Sequence, residues 1–223
     1  MMEKIVIIGG KGGAVVVAEQ IYDSHLKTGK VEFLGFAFDD ESFGPTINGF
    51  PVLCKTREAK EKYEKYPDVK FIFQLYRPDL MKERIDLLNS YGIPPEKFAT
   101  FIHHSCMVTK TTKIGHGSAI MANVVVNPNA VVGNHCTIHS NSLVGHDTTL
   151  GSHNFVAAHT VFGSSSVIGN GNFFGMNSTL NNYIKIGDLN FIGMASNVIK
   201  GLGSNQKVYG NPAKEFHTAI KPL

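Results

Sequence analysis

The sequence predicts a two-part fold, with an α/β half-domain over residues 1–100 followed by a parallel β-helix over residues 101–223. A strand, a glycine-rich loop and a helix follow one another near the N-terminus, which is how a doubly wound α/β unit begins. Seventeen apolar residues then stand six apart without interruption from Ile102 to Val198. A helix repeats near 3.6 residues and a strand near 2, so a period of six indicates a solenoid of short parallel strands.

The N-terminal elements are predicted by alternating apolar runs and turn residues. Residues 5–8 form a β-branched run that predicts a strand, and residues 14–26 predict the helix after the glycine loop. The other expected elements are strands over 31–38 and 69–75, a turn-rich connection over 44–51, and helices over 55–65 and 79–91. This order is typical of a Rossmann-like half-domain with a largely parallel sheet.

The glycine-rich loop is the candidate nucleotide site of the first half. Glycines allow the backbone to approach a phosphate at a helix N-terminus, and carboxylates after the second strand can reach a ribose or a base. The candidate substrate-binding residues are Gly10, Lys11, Gly12, Gly13, Asp39 and Asp40. The G-x-G-x-x-G pattern is absent, so a nicotinamide dinucleotide is not expected. A tight turn beside two solvated carboxylates is the alternative interpretation.

The hexads carry two further signals. Small residues usually stand four positions after each apolar residue, which leaves room inside a narrow prism, and glycine often stands one position after it. We expect those glycines to supply backbone freedom at the corners. Three hexads make one triangular coil of about 18 residues, so residues 18 apart stack on neighbouring coils. No insertion breaks the repeat, so a site must form against the N-terminal half or between chains.

Composition excludes several classes of function. The chain has 223 residues, 43% hydrophobic and 17% charged, with a net charge of +3. This charge gives no reason to expect a nucleic-acid partner, and no apolar run is long enough for membrane insertion. Three cysteines without a CxxC pair suit a reducing compartment, and no signal peptide is recognised. A cytoplasmic protein is expected.

The repeat resembles that of the hexapeptide-repeat acyltransferases, whose prism is a left-handed parallel β-helix and which usually form trimers. The segment 210–214, Gly-Asn-Pro-Ala-Lys, is similar to the one that ends the prism and lines the coenzyme A site in that family. A glycine-rich half-domain, the segment 98–103 and then the prism are together similar to sugar acetyltransferases of the PglD/NeuD type. This resemblance covers nearly the whole chain.

The resemblance implies a homotrimeric enzyme that transfers acetyl from acetyl-CoA, as cosubstrate, to a nucleotide-linked amino sugar for surface glycans. A 4-amino-4,6-dideoxy sugar or a relative is the expected acceptor, and no metal is expected. His146 matches the family's general base, and Asp147 would orient it. The implied coenzyme A contacts are Phe155, Gly163, Lys207, Gly210, Asn211, Pro212 and Lys214. Gly163 would place a backbone amide near the oxyanion.

Two departures from the family affect the site. Phe155 stands where the family has a second histidine, and Gly13 stands where its glycine loop has a histidine. Asp147 could also be a solvated corner residue, and Lys207 and Lys214 could be tail lysines in water.

Alternative functions remain open from the residues alone. O-acetylation of a sialic acid or another sugar hydroxyl is the nearest. A zinc hydratase of the γ-carbonic-anhydrase type would use three histidines meeting between chains. Its candidate ligands are His135, His139, His146, His153 and His159. A non-catalytic solenoid is a third class, but the threonines form no sustained file along one face.

Overall fold

The computed structural model describes residues 2–216, so Met1 and the last part of the predicted second domain, 217–223, lie outside the described residues. The first half holds a five-stranded sheet with the order β3-β4-β2-β1-β5. Its strands are β1 (Glu3–Ile8), β2 (Val31–Ala37), β3 (Thr46–Ile47), β4 (Phe50–Cys54) and β5 (Val69–Phe73). Neighbours pair in parallel except β3 and β4, which form an antiparallel hairpin.

Helices cover both faces of this sheet. They are α1 (Gly13–Thr28), α2 (Ala59–Lys62) and α3 (Met81–Ser90), with 3-10 turns at Glu41–Phe43, Thr56–Glu58 and Pro95–Lys97. Ile5 and Ile7 pack with α1 on one face. Val6 and Ile8 pack with α2 and α3 on the other face. This alternation is why the first strand is apolar at successive positions.

One prediction for this half was wrong in extent. The helix expected over 55–65 is reduced to a 3-10 turn and the four-residue α2, whereas the turn-rich connection expected over 44–51 is present and includes the tight turn between β3 and β4. The carbonyls of Tyr63 and Tyr66 accept hydrogen bonds from Lys97 Nζ at 3.0 and 2.8 Å. Because a distant lysine satisfies these carbonyls, the chain does not need a longer helix there.

The second half is a parallel β-helix with three faces. Each of the seventeen spaced apolar residues is the second residue of a two-residue strand, so the predicted register is confirmed. Face I contains β6 (Phe101–Ile102), β9 (Ala119–Ile120), β12 (Thr137–Ile138), β15 (Phe155–Val156), β18 (Phe173–Phe174), β21 (Phe191–Ile192), β23 (Lys207–Tyr209) and β24 (Lys214–Glu215).

The other two faces have the same 18-residue repeat. Face II contains β7 (Met107–Val108), β10 (Val125–Val126), β13 (Leu143–Val144), β16 (Val161–Phe162), β19 (Thr179–Leu180) and β22 (Asn197–Val198). Face III contains β8 (Lys113–Ile114), β11 (Val131–Val132), β14 (Thr149–Leu150), β17 (Val167–Ile168) and β20 (Lys185–Ile186). The spaced apolar residues and the small residues four positions later fill the prism.

The corners explain the other features of the repeat. The residue three positions after many of the apolar residues has a positive φ, as at His135 (55°), Asn141 (62°) and His153 (60°). Asparagine, aspartate and histidine tolerate this conformation best among non-glycine residues. The repeated glycines were expected to supply backbone freedom at the corners. This expectation was wrong, because Gly145 and the other glycines that directly follow a spaced apolar residue do not have positive φ. A Cβ on Gly145 would instead lie 2.7 Å from Ser164 N on the next coil.

The α/β half covers the first coils of face I. Gln74 Nε2 donates to Thr137 Oγ1 at 2.8 Å, and Tyr76 Oη donates to the His135 carbonyl at 3.0 Å. From α1, Gln20 accepts from the Ala122 amide at 2.7 Å and donates to Ser140 Oγ at 3.1 Å. Among residues 2–216, no helix has the length and hydrophobicity needed to cross a membrane.

Candidate active site

His146 and Asp147 form a side-chain pair at the corner between faces II and III. His146 Nδ1 lies 2.7 Å from Asp147 Oδ2, and both side chains are about half exposed, at 55% and 50%. His146 follows the buried pair Val144 and Gly145, so its side chain points away from the core. An accessible imidazole held by a carboxylate is the arrangement expected for a general base.

Asp147 is held on both sides. Its Oδ1 accepts from Asn129 Nδ2 at 2.9 Å, and its backbone has a φ of 56°. Hydrogen bonds from His146 and Asn129 lower the pKa of Asp147, so the carboxylate is ionised at neutral pH. Asp147 is therefore an exposed corner residue and also the hydrogen-bond partner of His146. These two interpretations, which the sequence presented as alternatives, are compatible.

The glycine loop forms a cavity against face I. The loop follows β1, which lies between β2 and β5, the point where the strand order reverses. The cavity has a volume of about 240 Å³ and is lined by Lys11, Gly12, Gly13, Gln74, Tyr76, Pro78, Phe155 and Phe173. Lys11, Gly12 and Gly13, predicted to bind the nucleotide, therefore line the same cavity as Phe155, which was predicted to contact coenzyme A.

Gly13 lines this cavity, and the buried His139 lies next to Gly13. A Cβ on Gly13 would meet only Gln74 Oε1 at 3.8 Å, a carbon of Phe155 at 3.9 Å and His139 Nε2 at 4.0 Å. His139 Nε2 is buried and has no hydrogen-bond partner among the described residues. Burial lowers the pKa of His139 to about 4, so the imidazole is neutral and can accept or donate a hydrogen bond. Sequence reasoning considered His139 only as a zinc ligand.

The N-terminus of α1 is free of competing side chains. Gly12, with a φ of 56°, is its N-cap, and the helix has no side-chain cap and no acidic residue in its first turn. The Ala14 and Val15 amides donate to the Lys11 and Gly12 carbonyls at 3.2 and 3.1 Å, so the positive end of the dipole of this 16-residue helix, and not a set of free amides, favours an anion here. Gly10 packs too closely against Phe38 to leave space for a ligand at its own Cα.

The two predicted carboxylates have local partners. Asp39 accepts from the Thr56 amide at 2.8 Å and from Thr56 Oγ1 at 2.7 Å. Asp40 accepts from the Ser42 amide at 3.1 Å and from Ser42 Oγ at 2.6 Å, and these hydrogen bonds lower its pKa. Both are exposed, and both fix 3-10 turns beside the loop.

The coenzyme A candidates follow face I toward its C-terminal end. The Phe155, Phe173 and Phe191 rings stack in parallel, with centroids 5.2 and 5.3 Å apart. Phe216 lies 6.2 Å beyond Phe191. Lys207 lines an open groove of about 510 Å³ next to this stack.

The predicted tail residues turn back on the prism. Gly210, Asn211 and Pro212 form the turn between β23 and β24, and the Asn211–Pro212 peptide is cis. Lys214 lies in the exposed strand β24, paired with Tyr209. The tail therefore extends the surface that begins at Phe155.

The expected role of the Gly163 amide was wrong. Its N–H donates to the Leu180 carbonyl at 3.0 Å, and its own carbonyl accepts from Thr148 Oγ1 at 2.8 Å. Both backbone groups are used between coils, so this amide is not available to an oxyanion. Gly163 belongs to the corner of His146, one coil further along.

The structure does not bring all predicted residues into one place. The corner of His146 separates faces II and III, whereas the glycine loop and the tail lie on face I. The two halves of the candidate site are therefore on opposite sides of one chain.

His135 and His153 are explained by packing. His135 and His153 stack with ring centroids 5.2 Å apart, and Tyr76 Oη lies 3.3 Å from His153 Nδ1. Burial lowers the pKa of His135 to about 3 and also lowers the pKa of His153. Within residues 2–216 of one chain, no three of the five predicted zinc ligands converge.

Comparison with known proteins identifies the class of repeat. The family "bacterial transferase hexapeptide (six repeats)" matches residues 111–146 and 129–164. The resemblance to hexapeptide-repeat transferases is confirmed over these residues, and the parallel faces fit a left-handed β-helix. No curated protein matches the chain in sequence.

Solved structures share the fold over the full length. A histidine-to-asparagine mutant of perosamine N-acetyltransferase from Caulobacter crescentus, in complex with CoA and GDP-perosamine, is 22% identical. It covers 98% of this chain and 99% of its own, with a TM-score of 0.81. The acetyltransferase domain of PglB from Neisseria gonorrhoeae, in complex with acetyl coenzyme A, is 20% identical. It covers 97% and 100%, with a TM-score of 0.80. WeeI from Acinetobacter baumannii is 20% identical over 97% and 100%, with a TM-score of 0.63.

Proposed function

We propose that this chain transfers acetyl from acetyl-CoA to the amino group of a nucleotide-linked amino sugar, in the cytoplasm. The observation that carries the proposal is the exposed His146–Asp147 pair on a chain similar, end to end, to acetyltransferases solved with CoA and a nucleotide amino sugar. The glycine loop, with its uncapped helix, would bind the nucleotide. The tail and the phenylalanine stack would bind coenzyme A.

The chemistry requires a proton acceptor. As the sugar amine attacks the thioester carbonyl, a C–N bond forms and the amine loses a proton. The ionised Asp147 accepts from Nδ1–H of His146, so Nε2 keeps a lone pair that can take this proton. Collapse of the intermediate breaks the C–S bond and releases coenzyme A as its thiol. His146 then has a proton to give to the thiolate.

A homotrimer would complete the site. Since His146 and the glycine loop lie on opposite sides of one chain, a neighbouring copy must supply one of them. Face-to-corner contact in a cyclic trimer places the corner of one protomer against face I of the next. This arrangement is supported by the position of the residues and by exposed apolar side chains, namely Val131 and Val167 on face III and Tyr183 at the corner between faces II and III.

The base is tested by thiol release from acetyl-CoA with a panel of GDP-, UDP- and dTDP-linked 4-amino sugars. His146→Ala should lower kcat by about 10²- to 10⁴-fold. His159→Asn is a matched control, because His159 is another exposed corner histidine and asparagine tolerates its φ of 61°. Unchanged turnover in His146→Ala would exclude this base. Hydroxyl acceptors in the same panel test O-acetylation.

The shared site is tested by complementation. His146→Ala lacks the base, and Gly13→Glu should block the nucleotide cavity, because Gly13 lines it and the longer side chain would enter the space between Gly13, Gln74 and Phe155. Co-expressed variants should regain activity at about a quarter of the sites, those that combine an intact base with an intact loop. Mixed trimers with no activity above the separate variants would contradict a site built from two chains.

A further inference from the structure

Asp23, His103 and His104 form a polar cluster at the junction of α1 and the first coil. One possible ligand atom from each lies within 4.8 Å of the others, and this is the one such group of three among residues 2–216. His103 Nε2 is 3.1 Å from Asp23 Oδ2, and His104 Nδ1 is 3.6 Å from the same oxygen. The candidate active site uses none of these residues.

These separations suit a tetrahedral ion. Zinc binds imidazole nitrogen at about 2.0–2.1 Å and carboxylate oxygen at about 2.0–2.2 Å, so adjacent tetrahedral ligands lie about 3.3 Å apart. Two of the three ligand pairs are already near that value. The two imidazole rings lie 4.2 Å apart, so the third pair can close by small rotations of the exposed His104 side chain.

The surroundings hold His103 in place. Its side chain is 6% exposed, and its amide donates to the Ile120 carbonyl at 2.9 Å. Its second ring nitrogen, Nδ1, lies 2.8 Å from Ser105 Oγ. Nδ1 also accepts a hydrogen bond from the Ser105 amide at 3.3 Å, so without an ion Nε2 carries the ring proton and donates to Asp23. An ion at Nε2 moves that proton to Nδ1, where Ser105 Oγ can accept it, and such an outer partner is usual for metal-binding histidine.

Asp23 is presented by a helix that is already fixed. It lies three residues after Gln20, on the same side of α1, and Gln20 bonds to the prism at Ala122 and Ser140. On the other side of the cluster, His104 and Ser24 line a groove of about 430 Å³. On this side Ser24 Oγ lies 3.3 Å from His104 Nδ1, so that hydroxyl or a water in the groove can take a fourth position.

We propose that Asp23, His103 and His104 form a binding site for one divalent transition-metal ion of the zinc type. Two imidazoles and a carboxylate are the donors that such ions prefer, and they leave the bound ion with an open position. The site joins α1 to the first coil of the prism. Because α1 begins at the glycine loop, the ion fixes the helix that carries that loop. The proposal does not depend on the proposed function.

The test is zinc binding to the full chain after removal of metals with a chelator. Calorimetric titration with zinc chloride, and metal analysis after dialysis, should give one zinc per chain and a higher Tm. Asp23→Asn and His104→Ala should each lower the affinity by at least about 10- to 100-fold. Asp23 is 47% exposed, so its variant should fold, and circular dichroism checks this.

The control distinguishes this site from other histidines. His159→Asn should keep the wild-type affinity, because His159 lies outside the cluster. The proposal is overturned by a wild-type chain that binds no zinc. It is also overturned by binding that survives both Asp23→Asn and His104→Ala, since the ion would then lie elsewhere.

Discussion

Alanine should have opposite effects at two glycines of the same loop. At Gly10 an added Cβ would overlap the Phe38 ring and lie 2.9 Å from Ile47 Cδ1. Ile47 is 5% exposed, and Phe38 packs edge-on against Phe43, so neither has free space to move into. Overpacking of this kind costs about 1–3 kcal/mol.

At Gly13 the same change should be tolerated. The nearest atoms would lie at 3.8–4.0 Å, which is ordinary contact, and Gly13 is the first residue of α1. Alanine at a compatible position stabilises by about 0.4–1 kcal/mol, because it restricts the unfolded chain. The two variants should therefore differ by about 1.5–4 kcal/mol, or about 3–15 °C in Tm for a chain of this length.

Thermal and urea unfolding, followed by circular dichroism, measure this difference. The m-value should stay the same in both variants, because the surface exposed on unfolding does not change. A Gly10→Ala variant as stable as the wild type would contradict the overlap with Phe38. A Gly13→Ala variant that loses more than about 1 kcal/mol would show that the loop is packed differently.

Three other outcomes are expected. Asp147→Asn should lower kcat less than His146→Ala does, with KM for acetyl-CoA unchanged, in the same thiol-release assay; an equal loss would make Asp147 as essential as the base. His135 has a pKa of about 3 because it is buried, against about 6.5 when unfolded, so the unfolded chain binds more protons between these values. Stability should fall as the pH falls through this window, by up to ~1.4 kcal/mol per unit, and urea unfolding at pH 7 and 5 should show a smaller loss in His135→Asn. Burial raises the pKa of Cys136 to about 12, so iodoacetamide at pH 8 should leave it unlabelled in the folded protein by mass spectrometry; rapid labelling would show an open core.

The prism could be predicted because its period is local. Each apolar residue from Ile102 to Val198 repeats the same relation to its neighbours, and strand pairing between coils then follows from the 18-residue spacing. The hairpin β3–β4 also has a local signal, Asn48-Gly49 between Ile47 and Phe50, and both turn residues have the positive φ (48° and 80°) of a two-residue hairpin turn. The short α2 could not be predicted in this way, because the residues that follow it contact the distant Lys97.

The candidate site was predictable in part. His146 was identified by resemblance, and its contact with Asp147 follows from adjacency at a corner. From the sequence, the glycine loop was predicted to bind the nucleotide and Phe155 to bind coenzyme A. The hexad spacing shows which coil and face a residue belongs to, but it does not show which face the α/β half covers. His139 was missed for the same reason. His135 and His153 both occupy corner positions with positive φ, a conformation in which histidine is enriched. Stacked histidines on neighbouring coils therefore do not by themselves indicate a metal site.

The placement of the His146 corner away from face I has a consequence for how activity depends on protein concentration. Under the proposed assembly, an isolated protomer carries every required group and still has no complete centre. Turnover per mole of chain should therefore fall on dilution, once the protein drops below the concentration at which copies separate, and adding more substrate should not restore it.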